Sequence, residues 1–157
     1  GSGLSLIEAP EESPHVLMHD YESGSGWTTG GDMLVSTVVD YNRFLQMLLN
    51  GGKFEGERLL QEETVAEMIR RQIPTSMLHA NQIEPGYGQG LAVKVLQDVG
   101  QTGNLGNPGE FSHSGGHGTY FWVDPQAEMI GLLMLQLNPM PETFHRQVRA
   151  MAYQVLF

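Results

Sequence analysis

The segment Phe111-Ser112-His113-Ser114-Gly115-Gly116-His117-Gly118-Thr119-Tyr120-Phe121-Trp122-Val123 constrains the fold most. A glycine-rich stretch lies between two β-prone stretches, so the chain must double back there. Asp124-Pro125-Gln126-Ala127-Glu128 supplies the next turn, and Met129 to Leu137 is apolar at nearly every position. Short connections of this kind join antiparallel neighbours, because a parallel pair needs a long crossover. The pattern predicts strands over 110–113, 118–123 and 129–137. The apolar run predicts that the last strand is covered on both faces, deep inside a sheet. Small residues at the end of the first strand let a ligand approach the backbone.

The rest of the chain supplies helices. Residues 31–157 read as one domain, and residues 4–30 as an irregular loop segment interrupted by Pro10, Pro14 and Ser23-Gly24-Ser25-Gly26. Gly1-Ser2-Gly3 looks like a cloning scar and is set aside. A helix is predicted over 36–50. Thr37 with Asp40 makes a capping box, and Tyr41, Phe44, Leu45, Leu48 and Leu49 share one face. Asn50-Gly51-Gly52 ends it through the left-handed conformation open to glycine. A second helix is predicted over 62–72, with Val65, Met68 and Ile69 inward and Pro74 as its stop. Alternation of Leu91, Val93 and Val95 predicts a strand over about 87–96. Pro141 opens a last helix over 141–157, with Phe144, Val148, Met151 and Val155 as its inner stripe. Helices, then a meander, then a closing helix make an α+β fold, an antiparallel sheet with flanking helices.

Composition narrows the partners. A formal net charge of -10, with 8 Lys+Arg, argues against nucleic acid and against an anionic membrane surface. No segment of the sequence has the length and apolarity of a membrane span. With no cysteine there is no disulfide or thiolate chemistry, and the compartment stays unassigned. Nothing in the sequence calls for a cofactor.

The chemistry centres on His113, Ser114, Gly115, Gly116 and His117. Ser112-His113-Ser114-Gly115-Gly116 is one residue away from G-x-S-x-G, but a nucleophile elbow needs a helix after the serine, and a strand is predicted there. His113 and His117 have H-x-x-x-H spacing, which gathers two metal ligands only on a helix. The intervening glycines disfavour one and no third ligand is evident, so no metal site is assigned. Composition alone favours a turn with locally satisfied imidazoles.

The order of segments adds a resemblance. Gly31-Asp32-Met33-Leu34-Val35-Ser36-Thr37-Val38-Val39-Asp40-Tyr41-Asn42-Arg43-Phe44, followed by Met47-Leu48-Leu49-Asn50-Gly51-Gly52, resembles a block of the serine β-lactamase and penicillin-binding-protein superfamily. Within it the chain is most similar to the class C β-lactamase-like branch that includes family VIII carboxylesterases. Leu59-Leu60 with Glu63 to Met68, Pro85 to Leu91, His113-Ser114-Gly115, Gly118 to Pro125 and Ile130 to Gln136 follow in the family's order, over nearly all of residues 20–157. The resemblance implies the C-terminal part of a β-lactamase/transpeptidase-like fold, and acyl transfer from a small-molecule ester or amide through an acyl-enzyme. It places His113-Ser114-Gly115, with His117 beside it, on the pocket wall of an edge strand. It makes the Gly116 N–H one of two oxyanion donors.

His113 stands where many members carry lysine. Imidazole is largely neutral near pH 7, which suits an esterase or related amide hydrolase better than recognition of a substrate carboxylate. The family nucleophile lies in S-x-x-K. No serine here has lysine three positions on, and the lysines are Lys53 and Lys94. Tyr21-Glu22-Ser23 fits the family's Y-x-S only by chance of position. The expectation is a C-terminal portion, catalytically silent alone, whose partner is the missing N-terminal half of the same domain. An incomplete sheet would also expose an edge open to self-association. Two alternatives stand beside it. One is a non-catalytic binding or structural domain on the same scaffold. The other is an independent Ser114 hydrolase, which needs His117 or His145 as base.

Overall fold

The computed structural model describes residues 36–77, 83–116, 118–137 and 143–156. The predicted loop 4–30, Pro141, His117 and Phe157 lie outside the described residues. The architecture is α+β. Helix α1 (Val38–Leu49) leads into a small hairpin, β1 (Lys53–Phe54) and β2 (Glu57–Arg58), and then helix α2 (Glu62–Ile69). A five-stranded antiparallel sheet follows: β3 (Tyr87–Gln89), β4 (Lys94–Leu96), β5 (Phe111–Ser114), β6 (Tyr120–Asp124) and β7 (Met129–Leu133), in that spatial order. Helix α3 (Phe144–Gln154) closes the described chain.

Local chemistry sets the boundaries. The Thr37 hydroxyl caps α1 by accepting from the Asp40 N–H at 3.1 Å and donates to the Asp40 carboxylate at 3.0 Å. The shorter acid therefore takes the hydroxyl proton instead of reaching back to the N-cap amide, as a capping-box glutamate does. At the other end the Gly52 N–H donates to Met47 O and the Gly51 N–H to Leu48 O, which is a Schellman motif. Gly51 and Gly52 both have positive φ, and a Cβ on Gly52 would fall 2.2 Å from Leu60 O. Helix α2 stops at Ile69, before the predicted 72. The chain beyond it turns extended and pairs with β3 through the Gln72 N–H to Gln89 O at 2.7 Å, so Pro74 does not set the end.

Three further expectations change. The strand predicted over 87–96 is a hairpin, with Tyr87 opposite Leu96 and Gly88 opposite Val95. The Gly90 N–H donates to Val93 O across its turn, and Ala92 takes a positive φ. A side chain on Gly90 would strike Met68 O, so the bend sits where only glycine clears α2. The strand predicted over 129–137 ends at Leu133. Ile130 and Leu132 pack on one face of the sheet and Met129 and Leu133 on the other, but β7 is the outermost described strand, not a central one. On α1, Leu45 and Leu48 are buried as predicted, but Phe44 is 43% exposed and Met47 is buried in addition.

The two faces of the sheet differ in chemistry. On the α1–α2 side Leu45, Leu48, Val65, Val93, Val95, Phe111, Phe121 and Val123 form an apolar core. On the α3 side Tyr120, Trp122 and Tyr153 pack with Met129, Leu133, Val148 and Ala152. The Trp122 ring lies across Gly131, its cross-strand partner, where a Cβ would come within 2.1 Å of the indole.

The inner stripe of α3 is not the one the apolar spacing predicts. Met151 is 58% and Val155 85% exposed, whereas Arg149 is 2% exposed and Tyr153 is buried. Arg149 makes a bidentate pair with the fully buried Glu110, Nη1 to Oε1 at 2.6 Å and Nη2 to Oε2 at 2.7 Å. Its Nη1 also donates to the Tyr120 hydroxyl at 2.8 Å, and its Nη2 to Leu105 O. The Tyr153 hydroxyl lies 2.6 Å from Asp124 Oδ2 and 2.9 Å from Glu110 Oε2, donating toward both carboxylates. Burial pushes the Glu110 carboxyl above its ordinary range, against the lowering pull of Arg149 and Tyr153. A buried, hydrogen-bonded ion pair outranks apolar spacing in choosing which helix face turns inward, because leaving either charge uncompensated is the costliest alternative.

This arrangement predicts asymmetric costs. Arg149→Met alone should lower stability by about 3–5 kcal/mol, since Glu110 stays buried without its partner. Adding Glu110→Leu to that variant should recover part of the loss, read as the midpoint of urea unfolding. Equal or greater loss in the double variant would contradict the ion-pair account.

Candidate functional site

Alternation along β5 sorts its side chains. Phe111 and His113 face Val123 and Phe121 on the α1–α2 side; Ser112 and Ser114 face Trp122 and Tyr120 on the α3 side. His113 and Ser114 therefore project from opposite faces of the sheet, both exposed. The strand is not an edge strand as predicted: it lies between β4 and β6. Its pairing with β4 nevertheless ends at Lys94–Ser112, because β4 begins only after the Gly90–Val93 turn. Beyond Ser112, β5 runs past the end of β4, and among the described residues β6 is its one remaining strand partner. The middle strand thus has a local edge at Ser114.

Backbone directions follow from the same ladder. The Gly115 N–H donates to Thr119 O at 2.8 Å, so odd-numbered residues bond toward β6. The Leu96 N–H donates to Glu110 O, so even-numbered residues bond toward β4. The Ser114 N–H is thereby directed to the side where β4 has ended, and the Gly116 N–H, trans across its peptide to the Gly115 carbonyl that accepts from Gly118, faces away from β6 as well. Among the described residues no acceptor takes the Gly116 N–H, and a Cβ on Gly116 would meet nothing within 4 Å. Gly115 is the opposite case: a Cβ there would lie 2.2 Å from Thr119 Oγ1. One glycine is required by crowding, and its neighbour opens onto unfilled space.

The turn is tied down on its inner side. The Gly118 N–H donates to Gly115 O at 3.1 Å, and Gly118 has a φ of 92°. His145 Nε2 lies 3.2 Å from Gly118 O as its donor, and its ring stacks on Tyr120 at 4.4 Å. The sequence raised His145 only as a base for Ser114. Its Nε2 is engaged with Gly118 O, and among the described residues the Ser114 hydroxyl has no hydrogen-bond partner. The structure brings Ser114, Gly115 and Gly116 to one strand end, with His113 adjacent on the other face. The predicted His117 lies outside the described residues. Among the described residues no group of three His, Cys, Asp or Glu could hold a metal ion, and no helix is long and apolar enough to cross a membrane.

Comparison with known proteins supplies context. A family model described as Beta-lactamase matches residues 6–156. Two curated relatives from Mycobacterium tuberculosis are each 36% identical over 133 residues. They are Uncharacterized protein MT1414 (strain CDC 1551 / Oshkosh) and Protein Rv1367c (strain ATCC 25618 / H37Rv). The match covers 80% of this chain and 32% of each relative, so the chain spans about a third of their length. Among solved structures, the fold is similar to "EstCE1, a hydrolase with promiscuous acyltransferase activity". The TM-score is 0.59 at 25% identity, covering 69% of this chain and 27% of that one. Unliganded simvastatin synthase (LovD) from Aspergillus terreus has a TM-score of 0.54 at 23% identity, covering 73% and 34% respectively.

Crowding at Gly115 gives a direct check on the turn. Gly115→Ala should destabilise the chain by about 1–3 kcal/mol, the usual cost of overpacking. Adding Thr119→Ala removes the Oγ1 and leaves the nearest contact at the Thr119 Cβ, 3.6 Å away. The double variant should then be more stable than Gly115→Ala alone, a coupling measurable by denaturant unfolding.

Proposed function

The chain belongs to the Beta-lactamase family, and from that premise we propose that it forms one wall of a serine-hydrolase acyl-transfer site whose nucleophile lies outside this sequence. The observation that carries the reading is the local edge at the end of β5. There the Gly116 N–H is directed past the end of β4, no described acceptor takes it, and the turn that carries it is bonded on its other side. A fixed, unpaired backbone donor is what a developing oxyanion needs, because it stabilises charge without reorganising during the reaction. Ser114, on the α3 side of the same strand end, is a hydrogen-bonding residue for substrate. His113 lines the other side.

The substrate class follows from what lines the wall. A lysine at position 113 would carry a fixed positive charge for a substrate carboxylate, and this chain has histidine there instead. An uncharged ester or amide acyl group fits best. The nucleophile and its base come from the upstream half of the same domain, since no S-x-x-K occurs in this sequence. That half is the partner of this chain, and the outer edge of β7 offers it a strand to extend. A second copy on the same edge is the competing occupant.

The chain alone should give no mass adduct with a serine-reactive fluorophosphonate, and the chain joined to its upstream half should give one on the upstream serine. In the joined protein, Gly116→Pro deletes the donor and should lower kcat for a p-nitrophenyl ester about 10²–10³-fold. Gly116→Ala keeps the N–H and should stay within a few fold. A stoichiometric adduct on Ser114 in the chain alone would sink this reading and make Ser114 the nucleophile.

A further inference from the structure

Residues 145, 149 and 153 of α3 are spaced four apart, so they rise along one face of the helix. Each holds a different level of the β5–β6 hairpin. Tyr153 reaches Asp124 and Glu110 at the hairpin's open end. Arg149 reaches Glu110 and the Tyr120 hydroxyl. His145 stacks on the Tyr120 ring and donates to Gly118 O at the turn. Tyr120 is shared: its hydroxyl is held by Arg149 and its ring by His145. The helix therefore lies along the hairpin and is bonded to it at both ends.

We infer that His145 is a positioning residue that holds the Gly115–Gly118 turn, and with it the Gly116 N–H, at a fixed place relative to the sheet. The chain of bonds is short. His145 fixes the Gly118 carbonyl, the Gly118 N–H fixes Gly115 O, and the Gly115 N–H fixes Thr119 O. Gly116 lies inside that closed loop and has no described bond of its own, so its orientation is inherited from its neighbours. Two glycines in succession at 115 and 116 are the most permissive backbone the chain could place there. A bond from outside the hairpin is what removes that freedom. The catalytic meaning rests on Gly116 being an oxyanion donor, as proposed above; the mechanical claim does not.

Two variants separate the hydrogen bond from the ring stack. His145→Phe keeps an aromatic ring on Tyr120 and loses the donor. His145→Gln keeps an amide donor near the Nε2 position and loses the ring. Amide hydrogen exchange of the whole chain, followed by NMR, reads the effect. In His145→Phe, exchange at Gly115 and Gly118 should quicken about tenfold, while Leu96 and Gly109, bonded at the far end of the hairpin, stay unchanged. His145→Gln should return Gly115 and Gly118 to within about threefold of the parent. Unchanged exchange in His145→Phe would overturn the inference, as would uniform quickening along the chain, which marks a merely structural role. Failure of His145→Gln to restore protection would overturn it too. In the protein joined to its upstream half, His145→Phe should lower kcat about tenfold with KM within twofold, and His145→Gln should restore it. Absence of ester turnover in every joined protein, the unsubstituted one included, would remove the proposed activity and leave the exchange result to decide the positioning role.

Discussion

Two carboxylates and a guanidinium share a space from which water is excluded. Glu110 and Asp124 are fully buried, and Arg149 is nearly so. Desolvation works against each charge, and only a dense set of hydrogen bonds makes the arrangement tolerable. Desolvation opposes the Arg149 charge, yet its bonds to Glu110 hold its pKa above the ordinary value. Asp124 is used completely: Oδ1 accepts from the Gln126 and Ala127 N–H groups, and Oδ2 from Asn107 and Tyr153. These bonds join the loop before β5, the β6–β7 turn and α3 at one point. Because few geometries make this many bonds at once, with Arg149 Nε alone of its nitrogens left without one among the described residues, the cluster fixes where α3 lies against the sheet, and so where its first turn meets the β5–β6 turn.

This dependence explains what was legible in the sequence and what was not. The meander could be read because each reversal carries its own chemistry. Glycines make the β5–β6 turn, and Asp124 makes the β6–β7 turn by accepting two backbone N–H groups. The ends of α1 were equally local, with Thr37 at one and Gly51-Gly52 at the other. The face of α3 was not legible, because periodicity ranks residues by apolarity and Arg149 has none. Glu110, the signal that could have placed it, is 39 residues away. A buried pair between remote charges leaves no mark on either segment alone. The bend at Gly90 was hidden for a related reason: Leu91, Val93 and Val95 alternate correctly, and the contacts that mark the bend, the Leu91 N–H to Met68 O and the close approach of Gly90 to the same carbonyl, are remote in sequence.

The candidate site divides the same way. That His113, Ser114, Gly115 and Gly116 end a strand was readable from the glycines that follow. That this strand sits in the middle of the sheet, with an edge only in its last residues, was not. The edge exists because β4 starts late, after the Gly90–Val93 turn, whose Leu91 N–H donates to Met68 O of α2.

The two adjacent glycines of the turn answer to different constraints. At Gly115 the restriction is on the inside, where Thr119 leaves no room for a side chain. At Gly116 no described residue restricts a side chain. Packing among the described residues explains the first glycine and not the second. A residue that packing does not require, beside one that it does, on a strand end whose edge bonds are unused, is where a requirement from outside the fold would be written. The space beside Gly116 is bounded on one side by a rigid hairpin and on the other by no described residue. On the proposed reading, an acyl group entering it would meet an N–H already oriented by bonds that exist before the substrate arrives.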